Sequence, residues 1–330
     1  MEQEFNGLLV SQQDGIFSSE VKILNLADLP GDDLLIKVNY SSLNYKDALS
    51  ASGNKGVTRR FPHVPGIDAA GIVVASKSSG FTEGDQVIVT GFDLGMNTWG
   101  GFGGYIRVPS QWAIRLPDGL NLKESMSLGT AGLTAGLSVD KIVSAGINSG
   151  TIVISGATGG VGSMATAIMS KLGFEVTAIS GKKENHFLRS VLGASSILDR
   201  EEFLEKYNSK PLSPADFSAG IDNVGGSILS GMLKSVKQNG MVTCCGNVAS
   251  ADLNTTVFPF ILRGATLAGI DSAQADINWR KKVWALLASD WKPFRLDEMV
   301  QEIGLDQLPQ KLEELLQGKA RGRYVLKHED

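Results

Sequence analysis

Cysteine is nearly absent from this 330-residue chain, and the only two, Cys244 and Cys245, are adjacent. Neighbouring cysteines make a strained mutual disulfide, and two thiols cannot complete a four-ligand zinc site. They read as small buried apolar side chains in a strand, in a protein of a reducing, cytoplasmic setting. Histidine is equally scarce: His63, His186 and His328 stand far apart and lack ligand spacing, so no metal centre is expected from them. Long hydrophobic runs are missing. The most apolar stretch, Thr151 to Met169, is broken by glycines and polar residues, short of the ~20 uninterrupted apolar residues that span a bilayer. The opening MEQEFNGLLV carries two acids where an export signal has a basic start, so neither export nor membrane insertion is expected. Charge of one sign is not in excess: a net charge of -4 creates no field for steering onto nucleic acid.

What remains is a globular composition, 42% hydrophobic and 20% charged, in a chain long enough for about two domains. As far as residue 122, short β-like runs alternate with glycine, proline and aspartate: Leu34 to Val38, Gly71 to Ala75, Gln86 to Thr90, Tyr105 to Val108 and Trp112 to Leu116. This spacing predicts a small barrel or sandwich. After Asp118 the pattern changes to helix alternating with strand, starting with a helix from Leu122 to Ala145. Six strands follow, at Thr151 to Ser155, Glu175 to Ile179, Ser195 to Leu198, Ala219 to Asp222, Gly240 to Cys245 and Thr266 to Ile270. Helices are predicted at Gly162 to Lys171, Glu184 to Leu192, Ser227 to Val236 and Trp279 to Leu287. The fold class is therefore α/β, a doubly wound parallel sheet beside a β-rich domain. The predicted boundaries are 1–122, 123–303 and a return of 304–330 to the first domain.

The segment Thr151-Ile-Val-Ile-Ser-Gly-Ala-Thr-Gly-Gly-Val-Gly162 is an apolar strand, a glycine-rich turn and a helix opening near Val161. That context is what dinucleotide binding requires, because unpaired N–H groups of the helix start meet the pyrophosphate. Thr158, Gly159, Gly160, Val161 and Gly162 are the expected cradle; Ala157 replaces the first glycine of the strict motif. The next strand ends Ser180-Gly181-Lys182-Lys183, where an NAD site normally carries an acid for the ribose hydroxyls. A hydroxyl and ammonium groups suit a 2′-phosphate, so NADPH is the expected cofactor, with Ser180, Gly181, Lys182 and, after the third strand, Arg200 as its ligands.

This order of domains resembles the medium-chain dehydrogenase/reductase superfamily over essentially the whole chain. Where its zinc alcohol dehydrogenases place a cysteine and then a Gly-His-Glu motif, the corresponding segments read Ser42-Leu-Asn-Tyr-Lys-Asp47 and Pro65-Gly-Ile-Asp-Ala-Ala-Gly71, without a soft zinc ligand. The segments Leu43 to Leu49, Phe61 to Asp68, Gly129 to Gly132, Pro259 to Gly264 and Gly269 to Ser272 are similar to the zinc-independent acryloyl-CoA reductase and quinone oxidoreductase branch. The resemblance implies a GroES-like first domain, NADPH-dependent reduction of acryloyl-CoA to propionyl-CoA, no metal, and a cytoplasmic homodimer.

Such chemistry needs donors for enolate charge and a proton source. Tyr45 is the expected cofactor-lining residue and proton donor, with Asn44 orienting substrate or carboxamide and Lys46 tuning the phenol. The matching family positions imply that Ile261, Ser272 and Gln317, before the Gly322-Arg323 pair, contact cofactor. Arg59 and Arg60, with Lys55, suit CoA phosphates in sign. A broader quinone or enal reductase, and a non-catalytic NADPH-binding protein, are the alternative readings.

Overall fold

The computed structural model describes residues 4–329, and the chain divides into two compact units. One comprises the chain as far as Thr130, Ala273–Ala288 and the segment from Val300 onward; the other comprises Ala131–Ser272 and Ser289–Met299.

The first unit opens with an antiparallel hairpin, β1 (Glu4–Gln13) and β2 (Ile16–Asn25). Its turn is Asp14-Gly15, both at positive φ, the two-residue form whose twist matches the strands. Strand β3 (Leu34–Ser42) buries Leu34, Ile36 and Val38, the alternation that a one-sided sheet requires. A short helix, α1 (Tyr45–Ala51), follows at once, then β4 (Asp68–Ser76), β5 (Gln86–Thr90), β6 (Tyr105–Val108) and β7 (Ala113–Arg115). The inward residues of these strands, among them Val73, Val87, Val89 and Ile106, form one apolar core.

The chain passes to the second unit within α2 (Leu122–Ser144), which is interrupted at Gly129. There β8 (Thr151–Ile154), α3 (Gly160–Lys171), β9 (Glu175–Ile179), β10 (Ser196–Leu198), α4 (Arg200–Tyr207), β11 (Phe217–Asp222), α5 (Gly226–Ser235), β12 (Val236–Cys244), α6 (Phe258–Arg263) and β13 (Thr266–Gly269) build a six-stranded sheet. All its pairings are parallel, in the order β10-β9-β8-β11-β12-β13. The order reverses between β8 and β11, the switch point where such sheets bind ligands.

Helix α7 (Ile277–Leu287), strand β14 (Val300–Ile303), helix α8 (Leu308–Leu316) and strand β15 (Arg323–Lys327) complete the first unit. Its larger sheet runs β14-β15-β3-β4-β5-β7, with β6 on β3. These units differ from the predicted boundaries at 122 and 303 for identifiable reasons. Thr130 bonds to Asp68, Arg280 of α7 spends its guanidinium on the Thr90 and Ala273 carbonyls, and β14 pairs with β15. Among the described residues no helix is long and apolar enough to cross a membrane.

Candidate active site

In the first unit, α1 starts two residues after β3. Asn44 is its extended N-cap residue, and the Asn44 N–H donates to Asp47 Oδ2 at 2.8 Å, a bond of the capping-box type that satisfies a helix-start donor. Tyr45 is thereby the first helical residue. It is exposed, with Lys46 half-buried beside it.

Asn44 and Asp47, on either side of Tyr45 in sequence, belong to a buried polar cluster. Asp68, with no exposure, accepts from Asn44 Nδ2 at 2.9 Å, Thr130 N–H at 2.9 Å, Thr130 Oγ1 at 2.5 Å and the Ser42 hydroxyl. Arg323 Nη2 lies 3.9 Å from Asp68 Oδ2 and donates to Ser42 Oγ at 2.8 Å. Its Nη1 donates to Leu43 O at 3.0 Å and Asn44 Oδ1 at 3.1 Å. Asp47 takes the N–H of Ile67 at 2.8 Å and Asn44 Nδ2 at 3.2 Å. Burial, followed by the nearby charge of Asp68, lifts the Asp47 carboxyl to about 7. Burial also lowers the Arg323 pKa, against the pull of Asp68 and Asp47.

The Asn44 carboxamide is thus spent on protein partners: Asp68, Asp47 and Ser42 O take its hydrogens, and Arg323 meets its oxygen. Its visible work is to fix the start of α1, and through it Tyr45. Gly129 closes the cluster, because a Cβ there would fall 2.3 Å from Ser42 Oγ and 2.7 Å from Asp68 Oδ2. Its φ of 52° and ψ of -157° belong to glycine.

These residues do not fit a catalytic zinc ion. The segment offers no thiol or imidazole, and the Asp68 carboxylate is committed to four donors beside a guanidinium. Among the described residues no group of three or more His, Cys, Asp or Glu side chains is arranged to hold a metal.

Arg59 and Arg60 are exposed on the loop that follows α1. Thr58 anchors that loop through its 2.6 Å hydroxyl contact with Ser50 of α1, and Arg59 N–H donates to Asn97 Oδ1 at 3.1 Å. Gln317 is the exposed C-cap residue of α8, and its amide donates to Glu313 at 2.8 Å. The bond to Asn44 comes from Arg323, six residues further along.

In the second unit the turn after β8 leads into α3 at Gly160, one residue before the expected start. Gly159 N–H donates to Gly156 O at 2.9 Å, and a Cβ at Gly162 would lie 2.2 Å from that oxygen, so only glycine lets the helix close on the turn. The first-turn N–H groups of Gly160, Val161 and Gly162 are those that an anion at the helix start would meet, next to the buried Thr158. At the end of β9, Ser180 Oγ accepts the Lys182 N–H at 3.0 Å. A Cβ on Gly181 would meet Arg200 Nε at 3.2 Å, which places the guanidinium against that glycine. Ser180, Gly181, Lys182 and Arg200 therefore form one cluster. Burial, then the Arg200 charge, lowers the Lys182 pKa, with Glu184 opposing.

Ser272 Oγ accepts from Thr134 Oγ1 at 2.7 Å. Ile261 is exposed on α6, close in sequence to the exposed Val257, Phe258 and Leu262.

Residues 30–118 match the alcohol dehydrogenase GroES-like domain, and residues 160–289 match the zinc-binding dehydrogenase family. The chain is 39% identical over 326 residues to "Putative quinone oxidoreductase YhfP" of Bacillus subtilis (strain 168), covering 98% of each chain. It is 38% identical, again over 98% of each, to acrylyl-CoA reductase AcuI of Ruegeria pomeroyi. The chain belongs to the medium-chain dehydrogenase/reductase superfamily. Within that superfamily it is an oxidoreductase of the acrylyl-CoA reductase and YhfP branch, and two solved structures of the branch superpose closely. The yhdH oxidoreductase of Salmonella enterica in complex with NADP aligns with TM-score 0.94 at 39% identity, covering 98% of this chain and 100% of that one. Bacillus subtilis yhfP with NAD bound gives the same TM-score and identity, covering 98% and 99%.

Five members of the buried cluster, Ser42, Asp47, Asp68, Thr130 and Arg323, have no role assigned from sequence. Asp47, Asp68 and Thr130 lie inside segments that carry the family resemblance, and Asp68 and Thr130 are polar residues set among non-polar neighbours. That setting is the one signal that marks those two.

Proposed function

We propose that this oxidoreductase reduces the C=C bond of acryloyl-CoA to give propionyl-CoA, with NADPH as cofactor and without zinc. The supporting observation is the whole-length likeness, at 38% identity, to a relative named acrylyl-CoA reductase.

NADPH, when bound, supplies the hydride for the β-carbon of the thioester. The chain's own residues then have four tasks. Gly159 and the N–H groups of Gly160, Val161 and Gly162 hold the pyrophosphate, with Thr158 beside them. Ser180, Gly181, Lys182 and Arg200 receive the 2′-phosphate, because the end of β9 presents a hydroxyl and two cations. Tyr45, fixed at the start of α1 by Asn44 and Asp47, donates a proton to the α-carbon, with Lys46 next to it on the helix. Arg59 and Arg60 attract the CoA phosphates. Ile261, Ser272 and Gln317 remain candidate cofactor contacts.

The test is NADPH oxidation with acryloyl-CoA, run beside NADH, a simple quinone and free acrylate. Turnover of the thioester with NADPH in preference to NADH is the expected result. Activity with quinones alone moves the assignment to the NADPH:quinone reading, which the relative named as a quinone oxidoreductase favours.

A cytoplasmic homodimer completes the proposal. Strand β13 is an outer strand of its sheet, and Val257, Phe258, Ile261 and Leu262 expose apolar surface on and next to α6. Sedimentation of the native protein and of Leu262→Glu reads the oligomeric state: a dimer that the variant weakens is the expected result.

A further inference from the structure

The second unit contains a buried carboxylate to which the proposed chemistry gives no work. Asp222 ends β11, on one side of the switch point between β8 and β11, and has no exposure. Its Oδ1 accepts the Ser155 hydroxyl at 2.8 Å, and its Oδ2 accepts the Gly225 N–H at 2.8 Å. Ser155 immediately follows β8 and precedes Gly156, the first residue of the phosphate turn. The Ser155 oxygen in turn accepts the Asn223 N–H at 2.8 Å, while Asn223 Nδ2 donates to the Ser155 carbonyl at 2.7 Å.

A third loop joins the network from β12. Cys245 N–H donates to Asp222 O at 3.0 Å, and its thiol donates to Asn223 Oδ1 at 3.1 Å. Three loops at the carboxyl ends of β8, β11 and β12 are thus tied together by side chains, in addition to backbone bonds such as Ser155 N–H to Ile221 O at 3.1 Å. A parallel sheet has no crossover element filling its switch point, which is why ligands enter there. Burial raises the Asp222 pKa, while the Ser155, Gly225 and Val224 donors favour its charged form. Such bonds to an ionised acceptor are the strong kind.

We propose that Asp222 is a positioning residue for the dinucleotide: it acts through Ser155 to hold the Gly156–Gly162 turn at the height where its N–H groups meet the pyrophosphate. This rests on the cofactor reading given above. It adds a residue that touches no cofactor atom and sets the affinity for the cofactor from behind the turn. The effect is confined to nucleotide binding, since the Asp222 network contains none of the residues assigned to proton transfer or to CoA.

The experiment is a fluorescence titration of NADPH into the full-length protein, the Asp222→Asn and Ser155→Ala variants and the double variant, with steady-state kinetics alongside. Each single variant is expected to raise the NADPH Kd about tenfold, in the range of a lost charge-assisted bond. The double variant should match the worse single rather than multiply the two, because both changes break one connection. At saturating NADPH, kcat and the KM for acryloyl-CoA should stay within about twofold of the parent.

If the parent protein binds no NADPH, the cofactor reading fails. If the parent binds and both single variants bind within twofold of it, the positioning role fails. Additive losses, or a fall in kcat that saturating NADPH does not restore, also overturn it. Should Asp222→Asn fold poorly, Ser155→Ala still decides the matter, since it deletes one hydroxyl and leaves the carboxylate in place.

Discussion

Asp47 and Asp68 meet through one side chain: the Asn44 Nδ2 is 3.2 Å from the first carboxylate and 2.9 Å from the second. Two buried acids this close to a common donor cannot both ionise without penalty, and Asp47 is the one whose carboxyl rises to about 7. The start of α1, and with it Tyr45, is therefore coupled to a proton.

The sign of that coupling is fixed. An unfolded aspartate titrates near ~3.9, so between that value and about 7 the native protein holds a proton that the unfolded chain has released. This contribution to stability falls as pH rises through the window and levels off above it, at a limiting slope of about 1.4 kcal/mol per pH unit. His63 and His328, whose pKa values burial depresses, act oppositely, losing stability as pH falls. Urea unfolding at pH 5 to 8 should show the stability gap between the parent and Asp47→Asn narrowing as pH rises. An unchanged gap refutes the assignment.

Removing the counter-charge should cost more. Arg323→Met strands the buried Asp68 carboxylate and leaves Leu43 O and Asn44 Oδ1 without their donor, an effect of about 3–5 kcal/mol in comparable buried pairs. Chemical denaturation measures it. Arg323→Lys should recover only part, since an ammonium cannot reproduce the two-armed geometry.

Gly129→Ala is expected to be severe for a one-carbon change. The backbone conformation alone penalises alanine by about 1–3 kcal/mol, and the new methyl would collide with Ser42 and Asp68. A large drop in Tm together with lost reductase activity is the expected outcome. A variant as stable as the parent would show that α2 can re-form without its interruption.

Cofactor choice should respond to the cluster at the end of β9. Arg200→Ala and Lys182→Ala should each raise the KM for NADPH by about tenfold or more, the range of a lost charged hydrogen bond, and leave NADH unaffected. Ser180→Asp should reverse the preference by placing a carboxylate where the ribose hydroxyls are read. Equal losses for both cofactors would assign these residues to general binding.

The second unit was the more legible part of the sequence. Its strands are short, apolar and buried, so Thr151–Ile154 and Glu175–Ile179 announce themselves, and Gly162 marks the turn by a requirement that only glycine meets. The β1–β2 hairpin was harder to see because β2 is largely solvent-facing, with Ile16 and Ile23 exposed, so no apolar alternation marks it. Its signal was the Asp14-Gly15 pair. Helices α1 and α4 are too short for a 3.6-residue period to emerge, and their capping-box contacts, Asn44 with Asp47 and Asp199 with Glu202, were the readable sign. The Asp68 cluster could not be assembled from sequence, because its partners at Ser42, Asn44, Thr130 and Arg323 lie far apart along the chain and meet only in the folded sheet.

That dispersion has a temporal side. During synthesis all six strands of the nucleotide-binding sheet are available once Gly269 has emerged, whereas Asp68 still waits for Arg323, 54 residues later. A nascent chain can thus complete its parallel sheet while the cluster at the start of α1 lacks its cation. Arg323 is then the residue whose arrival completes the cluster that holds the start of α1.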